Sequence, residues 1–174
     1  MTTPALAMRI PLAGYLLKHL PQLPDGSADP KFAQEVSMHL RDLFALLGGV
    51  VNSISVGPEE IQLTWTPEPG RRPLSGVISI LQQGRLGDGV LLLELLLSAA
   101  SEDADVLYNL GMAYSDLGDL GLAIERLRRL LEIDPAYING RVALGVALMR
   151  TAQSQEALAE LRRAVQDAPE NPWA

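Results

Sequence analysis

Cysteine is absent from this chain. That removes disulfides, thiolate metal sites, iron–sulfur clusters and cysteine nucleophiles in one step. Histidine is nearly absent: His19 and His39 are the only two, too few for a histidine-rich metal site and a thin basis for imidazole catalysis. Aromatic residues make up 5% of the 174 positions, so the core has to be aliphatic. Positive charge is outnumbered, with 14 Lys and Arg against 21 Asp and Glu and a formal net charge of −7. A nucleic-acid binder needs a basic footprint, and this balance argues against one. Long greasy runs are missing too. The longest, Gly89 to Ala100, has 12 residues and contains Glu94, whereas a membrane-spanning helix takes roughly 20 apolar residues. The apolar start, Met1 to Pro11, is interrupted by Arg9 and has no basic leader before it. These absences predict a cytoplasmic protein with no membrane segment, no cofactor and no metal. What is present suffices to fold, since 48% of the residues are hydrophobic and 20% charged, a globular balance.

Prolines divide the chain. Nine of the twelve lie at or before Pro73, and Pro67 to Pro73 reads as a linker. The expected organisation is a small α+β module over 1–69 and a helical array over 70–174. In the first part, Asp29-Pro30 is a helix start, with Asp as cap and Pro in the first helical position. Phe32, Val36, Leu40, Leu43 and Leu47 then form one apolar stripe, and Gly48-Gly49 ends it. Alternation follows: Ile61, Leu63 and Trp65 point one way, Gln62, Thr64 and Thr66 the other. Val50 to Val56 is the expected partner strand across a turn at 57–60. A short helix with Leu12, Leu16, Leu17 and Leu20 would complete an α-α-β-β order. Two strands alone are marginal in water, so the hairpin needs a helix beneath it.

The second part repeats every 34 residues. Pro135 steps to Pro169, Leu110 to Leu144, Gly111 to Gly145, Ala123 to Ala157 and Leu127 to Leu161. A worn copy lies upstream, where Gly84 steps to Gly118 and Ala152, and Leu93 to Leu127 and Leu161. Each copy reads as two helices joined at Gly84, Gly118 or Ala152, and copies must stack because one helix pair cannot bury its apolar face alone. Boundaries fall at about 70–103, 104–137 and 138–171, with the start of a further copy at 172.

Leu107-x2-Leu110-Gly111-x2-Tyr114, then Ala123-x3-Leu127 and Pro135, resembles the tetratricopeptide repeat (TPR) family. Leu107 stands in the usual Trp place and Leu127 in that of Phe; in the next copy Arg141 takes the Trp place and Leu148 the Tyr place. The resemblance covers 104–169 closely and 70–103 as a degenerate copy, and does not reach 1–69. It implies a mainly α protein, a helix-hairpin solenoid of about three repeats with the N-terminal module as a cap, and a concave face that binds a protein or peptide partner. It also implies that ligands meet the first helix of each copy. There the row is apolar: Leu74 and Ile78, then Tyr108 and Met112, then Val142 and Val146, with Met149 one turn on. Exposed apolar rows mark binding surfaces. Asp105, Asn109, Ser115, Asp116, Asn139 and Arg150 are polar neighbours able to orient a ligand backbone. Some family members hold a C-terminal carboxylate with a Lys and Asn clamp; its positions here carry Tyr108, Met112, Val142 and Val146, which excludes that ligand class.

Catalytic constellations do not assemble. Glu59-Glu60 falls in a turn. His39 has Glu35 at i,i+4, but Ser37 at i+2 faces elsewhere on a helix, so no triad forms. Gly84 to Gly89 lacks a preceding strand and falls on a repeat turn. Arg126, Arg128, Arg129, Arg162 and Arg163 alternate with Glu125, Glu132, Glu156 and Glu160 as an ion-paired outer face. The chain is therefore expected not to be an enzyme. The first functional reading is an interaction module, a scaffold, adaptor or co-chaperone-like protein. The alternative is a regulatory or substrate-recruiting segment of a larger enzyme such as a TPR-bearing glycosyltransferase. No polar capping helix follows Pro169, which suggests a piece of a longer protein and a third reading, self-association through an uncapped end at Ala164, Val165 and Trp173. Residues 1–69 are expected to dock on Leu91, Leu92 and Leu95, since the matching sites in later copies are mostly charged.

Overall fold

The computed structural model describes residues 4–11, 30–57, 59–100 and 102–170. The helix expected around Leu12 to Leu20 and the further copy expected from 172 lie outside the described residues. The chain forms two compact units, Met1–Ser101 and Glu102–Ala174.

The first unit contains β1 (Leu6–Pro11), α1 (Pro30–Leu47), β2 (Gly49–Val56), β3 (Glu60–Pro67), α2 (Pro73–Gln82) and α3 (Leu86–Ala99). The hairpin expectation holds: β2 and β3 pair antiparallel with Val51 opposite Trp65, Ile54 opposite Leu63 and Val56 opposite Ile61. A bulge between Val51 and Ser53 lets Asn52 and Ser53 both face outward, so Ile54 returns to the inner face. The sheet has a third strand that hydrophobic patterning did not reveal. β1 pairs with the other side of β3, giving the order β1-β3-β2, and sets Met8 opposite Leu63. Met8, Ile61, Leu63 and Trp65 are all buried.

The stripe of α1 packs inward as its spacing predicts, with Phe32, Val36, Leu40, Leu43 and Leu47 all buried. Phe44 meets Trp65 edge-on at 5.2 Å, which fixes α1 to the sheet. Gly49 sits over Trp65 with φ +116, where a side chain would strike the Thr66 carbonyl oxygen; only glycine fits there. The proline-rich stretch is no free tether. Arg71 Nη2 donates to the Leu46 carbonyl at 3.2 Å, closing residues 68–71 onto the end of α1.

The compact boundary falls after Ser101 rather than at residue 70, and α3 supplies the reason. Seven of its residues are buried, including Leu91, Leu92 and Leu95. A helix apolar on nearly every side has to be enclosed. Against β1, Ser98 Oγ accepts the free Arg9 N–H at 3.2 Å, a hydrogen bond that an edge strand otherwise leaves to solvent. Against α1, His39 Nε2 lies 2.9 Å from Asp88 Oδ1. The worn helix pair and the α+β module thus form one body.

The second unit is two helix pairs: α4 (Ala104–Leu117) with α5 (Leu120–Ile133), and α6 (Ile138–Arg150) with α7 (Ser154–Asp167). Asp103 caps α4 by accepting the Val106 N–H at 3.1 Å. The small residues lie where the helices cross. A Cβ on Gly111 would come within 2.5 Å of Leu127 Cγ, and one on Gly145 within 2.6 Å of Leu161 Cγ. Gly118 turns the first pair at φ 82, and Ala152 turns the second at φ 60 without being glycine. Arg141, in the place where the repeat family has Trp, is 8% exposed. It donates to Glu160 Oε2 at 2.7 Å and to the Pro135 carbonyl, so an ion pair bonded to backbone replaces an apolar contact.

Candidate functional site

α4 and α6, the first helices of the two pairs, carry the predicted binding row. Residues at i and i+4 share one helix face. Tyr108 and Met112 therefore stack along α4, and Val142 and Val146 along α6. The four converge on one pocket of about 340 Å³, completed by Ser115, Leu127, Asn139 and Ala143. No charged side chain lines it. Met112 is 38% exposed and Val146 47%, and Met149, one turn beyond, is 59% exposed.

The two ends of the groove are held by hydrogen bonds between the helices. At one end the Tyr137 hydroxyl donates to Asp105 Oδ1 at 3.0 Å, and the Tyr137 and Tyr108 rings lie 5.3 Å apart at a tilt of 34°. Burial, and then the hydrogen bond to and negative charge of Asp105, push the Tyr137 hydroxyl well above the ordinary tyrosine range. It stays protonated and stays a donor. At the other end Arg150 Nη1 donates to the Ser115 carbonyl at 2.8 Å and to Ser115 Oγ at 2.7 Å.

The remaining predicted residues divide. Asn139 joins the pocket. Asn109 turns back on its own helix, donating from Nδ2 to the Asp105 carbonyl at 2.7 Å. Leu74 and Ile78, on α2, are half-buried and belong to the first unit. Tyr137, Leu127 and Ala143 were not foreseen as site residues. Tyr137 precedes α6 and sits at no repeated position, so periodicity could not select it.

A second cleft of about 340 Å³ lies among α5, α6 and α7. Its arginines face glutamates: Arg128 bonds Glu156 at 2.7 Å, and Arg141 and Arg163 share Glu160 at 2.7 and 3.4 Å. The charges cancel, as the interleaving of Arg and Glu predicts, although two of these pairs join different helices rather than neighbours on one. Among the described residues no group of three acidic or histidine side chains is placed to hold a metal ion. Among them no helix is long and apolar enough to cross a membrane.

Residues 104–137 match the family model of the tetratricopeptide repeat. No curated protein matches the chain. Among solved structures, MamA AMB-1 is 30% identical over 56% of this chain and 54% of its own, with a TM-score of 0.52. The first TPR of Spaghetti (RPAP3), bound to the HSP90 peptide SRMEEVD, is 16% identical over 57% of this chain and 79% of its own, with a TM-score of 0.55. YrrB, described as a TPR protein with an unusual peptide-binding site, is 17% identical over 57% of this chain and 52% of its own, with a TM-score of 0.55. The chain spans between 54% and 59% of the three MamA structures it matches. The 34-residue period, the glycine-seated helix crossings and these likenesses agree: residues 104–137 are a tetratricopeptide repeat, and the helical array shares the fold of the solved TPR proteins.

Proposed function

We propose that the chain is a protein-interaction module, a scaffold or adaptor acting in the cytoplasm, that holds an apolar or amphipathic segment of a partner protein between α4 and α6. One observation carries the reading: Tyr108, Met112, Val142 and Val146 line one open pocket while Met112 and Val146 remain substantially exposed. Exposed apolar side chains gathered in a concavity favour binding over solvation. Tyr and Met suit such a surface, one as a rigid anchor and the other as an adaptable filler. The solved TPR bound to an HSP90 peptide and the peptide-binding site of YrrB support a peptide-like ligand here. The groove offers no lysine to a terminal carboxylate, which sets it apart from a carboxylate clamp. The test is capture of partners from a lysate by the full chain and by the double variant Met112→Glu/Val146→Glu. Both side chains are exposed, so helicity should persist. Loss of capture with helicity intact supports the groove, and unchanged capture rules it out.

A further inference from the structure

We propose that the segment held in this groove is basic as well as apolar: an apolar side chain fills the pocket, and a lysine or arginine beside it is held by Asp105, Tyr108 and Tyr137. The inference rests on the groove reading above and adds the charge of the ligand.

Three features place a cation there. The first is the balance of charge on the two helices that carry the groove and on their flanking caps. α4 and its flanking caps carry Asp103, Asp105, Asp116 and Asp119 and no basic residue. α6 carries two arginines, and both are engaged within the unit. Arg141 is buried on Glu160, and Arg150 is bonded to Ser115. An acidic segment would meet carboxylates, whereas a basic one would be complementary. The second feature is the tyrosine pair at the Asp105 end, with ring centroids 5.3 Å apart. Ring faces attract ammonium and guanidinium groups. The Tyr137 hydroxyl, 3.0 Å from Asp105 Oδ1, fixes the carboxylate beside those rings. A cation bound there gains a charge partner and an aromatic surface together. The third is the pocket itself, which has no charged lining and so accepts the apolar neighbour of that cation and not the cation. The formal charge of −7 favours approach of a basic segment from a distance.

Three synthetic amphipathic peptides test this. They share leucine and methionine at helical spacing and differ in flanks of lysine, serine or glutamate. Affinity for the full chain is measured by fluorescence anisotropy at low and high salt. The expected order is lysine, then serine, then glutamate, with the lysine advantage shrinking as salt rises. Asp105→Asn still accepts from Tyr137 and keeps the helix, which circular dichroism checks. It should weaken the lysine peptide roughly threefold to tenfold and leave the serine peptide unchanged. Met112→Glu should weaken the serine peptide. If serine or glutamate flanks bind as well as lysine, or Asp105→Asn leaves the preference intact, the charge inference is wrong and the groove reading stands. If no peptide binds, or binding ignores Met112→Glu, both are wrong.

Discussion

The Tyr137 hydroxyl and the Asp105 carboxylate, 3.0 Å apart, join the residue before α6 to the first turn of α4. The bond links two successive helix pairs at one end of the candidate groove, as Arg150 and Ser115 link them at the other. A site walled by two separate helices is only as well defined as the contacts that set their spacing.

Removing the hydroxyl is therefore the first test of the groove's rigidity. Tyr137→Phe keeps the ring against Tyr108 and deletes the bond. It should cost about 1 kcal/mol, more than a neutral exposed pair because the acceptor is charged. Urea unfolding followed by circular dichroism measures it. The pH dependence has a definite sign. The folded hydroxyl ionises above its unfolded value of about 10, with burial as the first cause. Its contribution is thus fully present below about pH 10 and is lost as pH rises through the folded value. Wild type should lose stability relative to Tyr137→Phe only in the alkaline range, and equal curves there would remove the bond from the account.

Helix crossings give an asymmetric expectation. Alanine gains about 1 kcal/mol over glycine in a helix interior. A Cβ at Gly111 would press on Leu127, which is buried and lines the pocket. A Cβ at Gly145 would press on Leu161, which is only partly buried, so less surrounding packing opposes its displacement. Gly111→Ala should lower stability by about 1–2 kcal/mol through overpacking. Gly145→Ala should be close to neutral. Thermal melts of the two variants decide it, and equal losses would mean that α7 is held as firmly as α5.

Ala152 holds φ 60 at the turn between α6 and α7, where the earlier turn has Gly118 at φ 82. A left-handed conformation costs a non-glycine residue roughly 1–2 kcal/mol, against a smaller entropic loss for glycine in the unfolded chain. Ala152→Gly should raise stability by about 0.5–1 kcal/mol. A lower melting temperature would show that the turn is not strained.

Periodicity made most of the helical architecture readable. Gly84, Gly118 and Ala152 mark turns because the chain there must enter left-handed space, and Gly111 and Gly145 mark crossings because a neighbouring leucine occupies the Cβ position. Tyr108, Met112, Val142 and Val146 came instead from the family resemblance, which implies ligand contacts on the first helix of each copy; these four side chains line the pocket. β1 was not readable. Leu6, Met8 and Ile10 do alternate, but with Ala7 between them the polarity contrast is weak, and pairing with β3 is a tertiary contact. The unit boundary was hidden as well. Prolines at 67–73 look like a tether until Arg71 is seen bonded to the Leu46 carbonyl. Tyr137 was missed because a residue that serves one inter-helix contact leaves no periodic trace.

The last prediction uses one repeat position in three copies. Leu95, Arg129 and Arg163 occupy it at steps of 34. Leu95 is fully buried in the first unit, on the helix whose Ser98 bonds the edge of β1. Arg129 and Arg163 are exposed: Arg129 pairs with Glu132 at 2.9 Å and Glu102 at 3.5 Å, and Arg163 with Glu160 at 3.4 Å. The same exchange of leucine and arginine should therefore have opposite outcomes. Leu95→Arg forces a charge among Leu91, Leu92 and the sheet, where it has no partner, and should cost several kcal/mol. Arg129→Leu gives up two exposed ion pairs and should change stability by less than about 1 kcal/mol. Trp65, buried under Gly49 in the same unit, is an internal reporter of unfolding. Its emission should shift to that of exposed indole in Leu95→Arg and stay unchanged in Arg129→Leu. Leu95→Ala separates burial of charge from loss of volume: it should cost about 2–5 kcal/mol and still fold. If Leu95→Arg keeps the buried Trp65 signal and melts like wild type, α3 does not hold the N-terminal sheet, and residues 1–69 fold without the worn repeat.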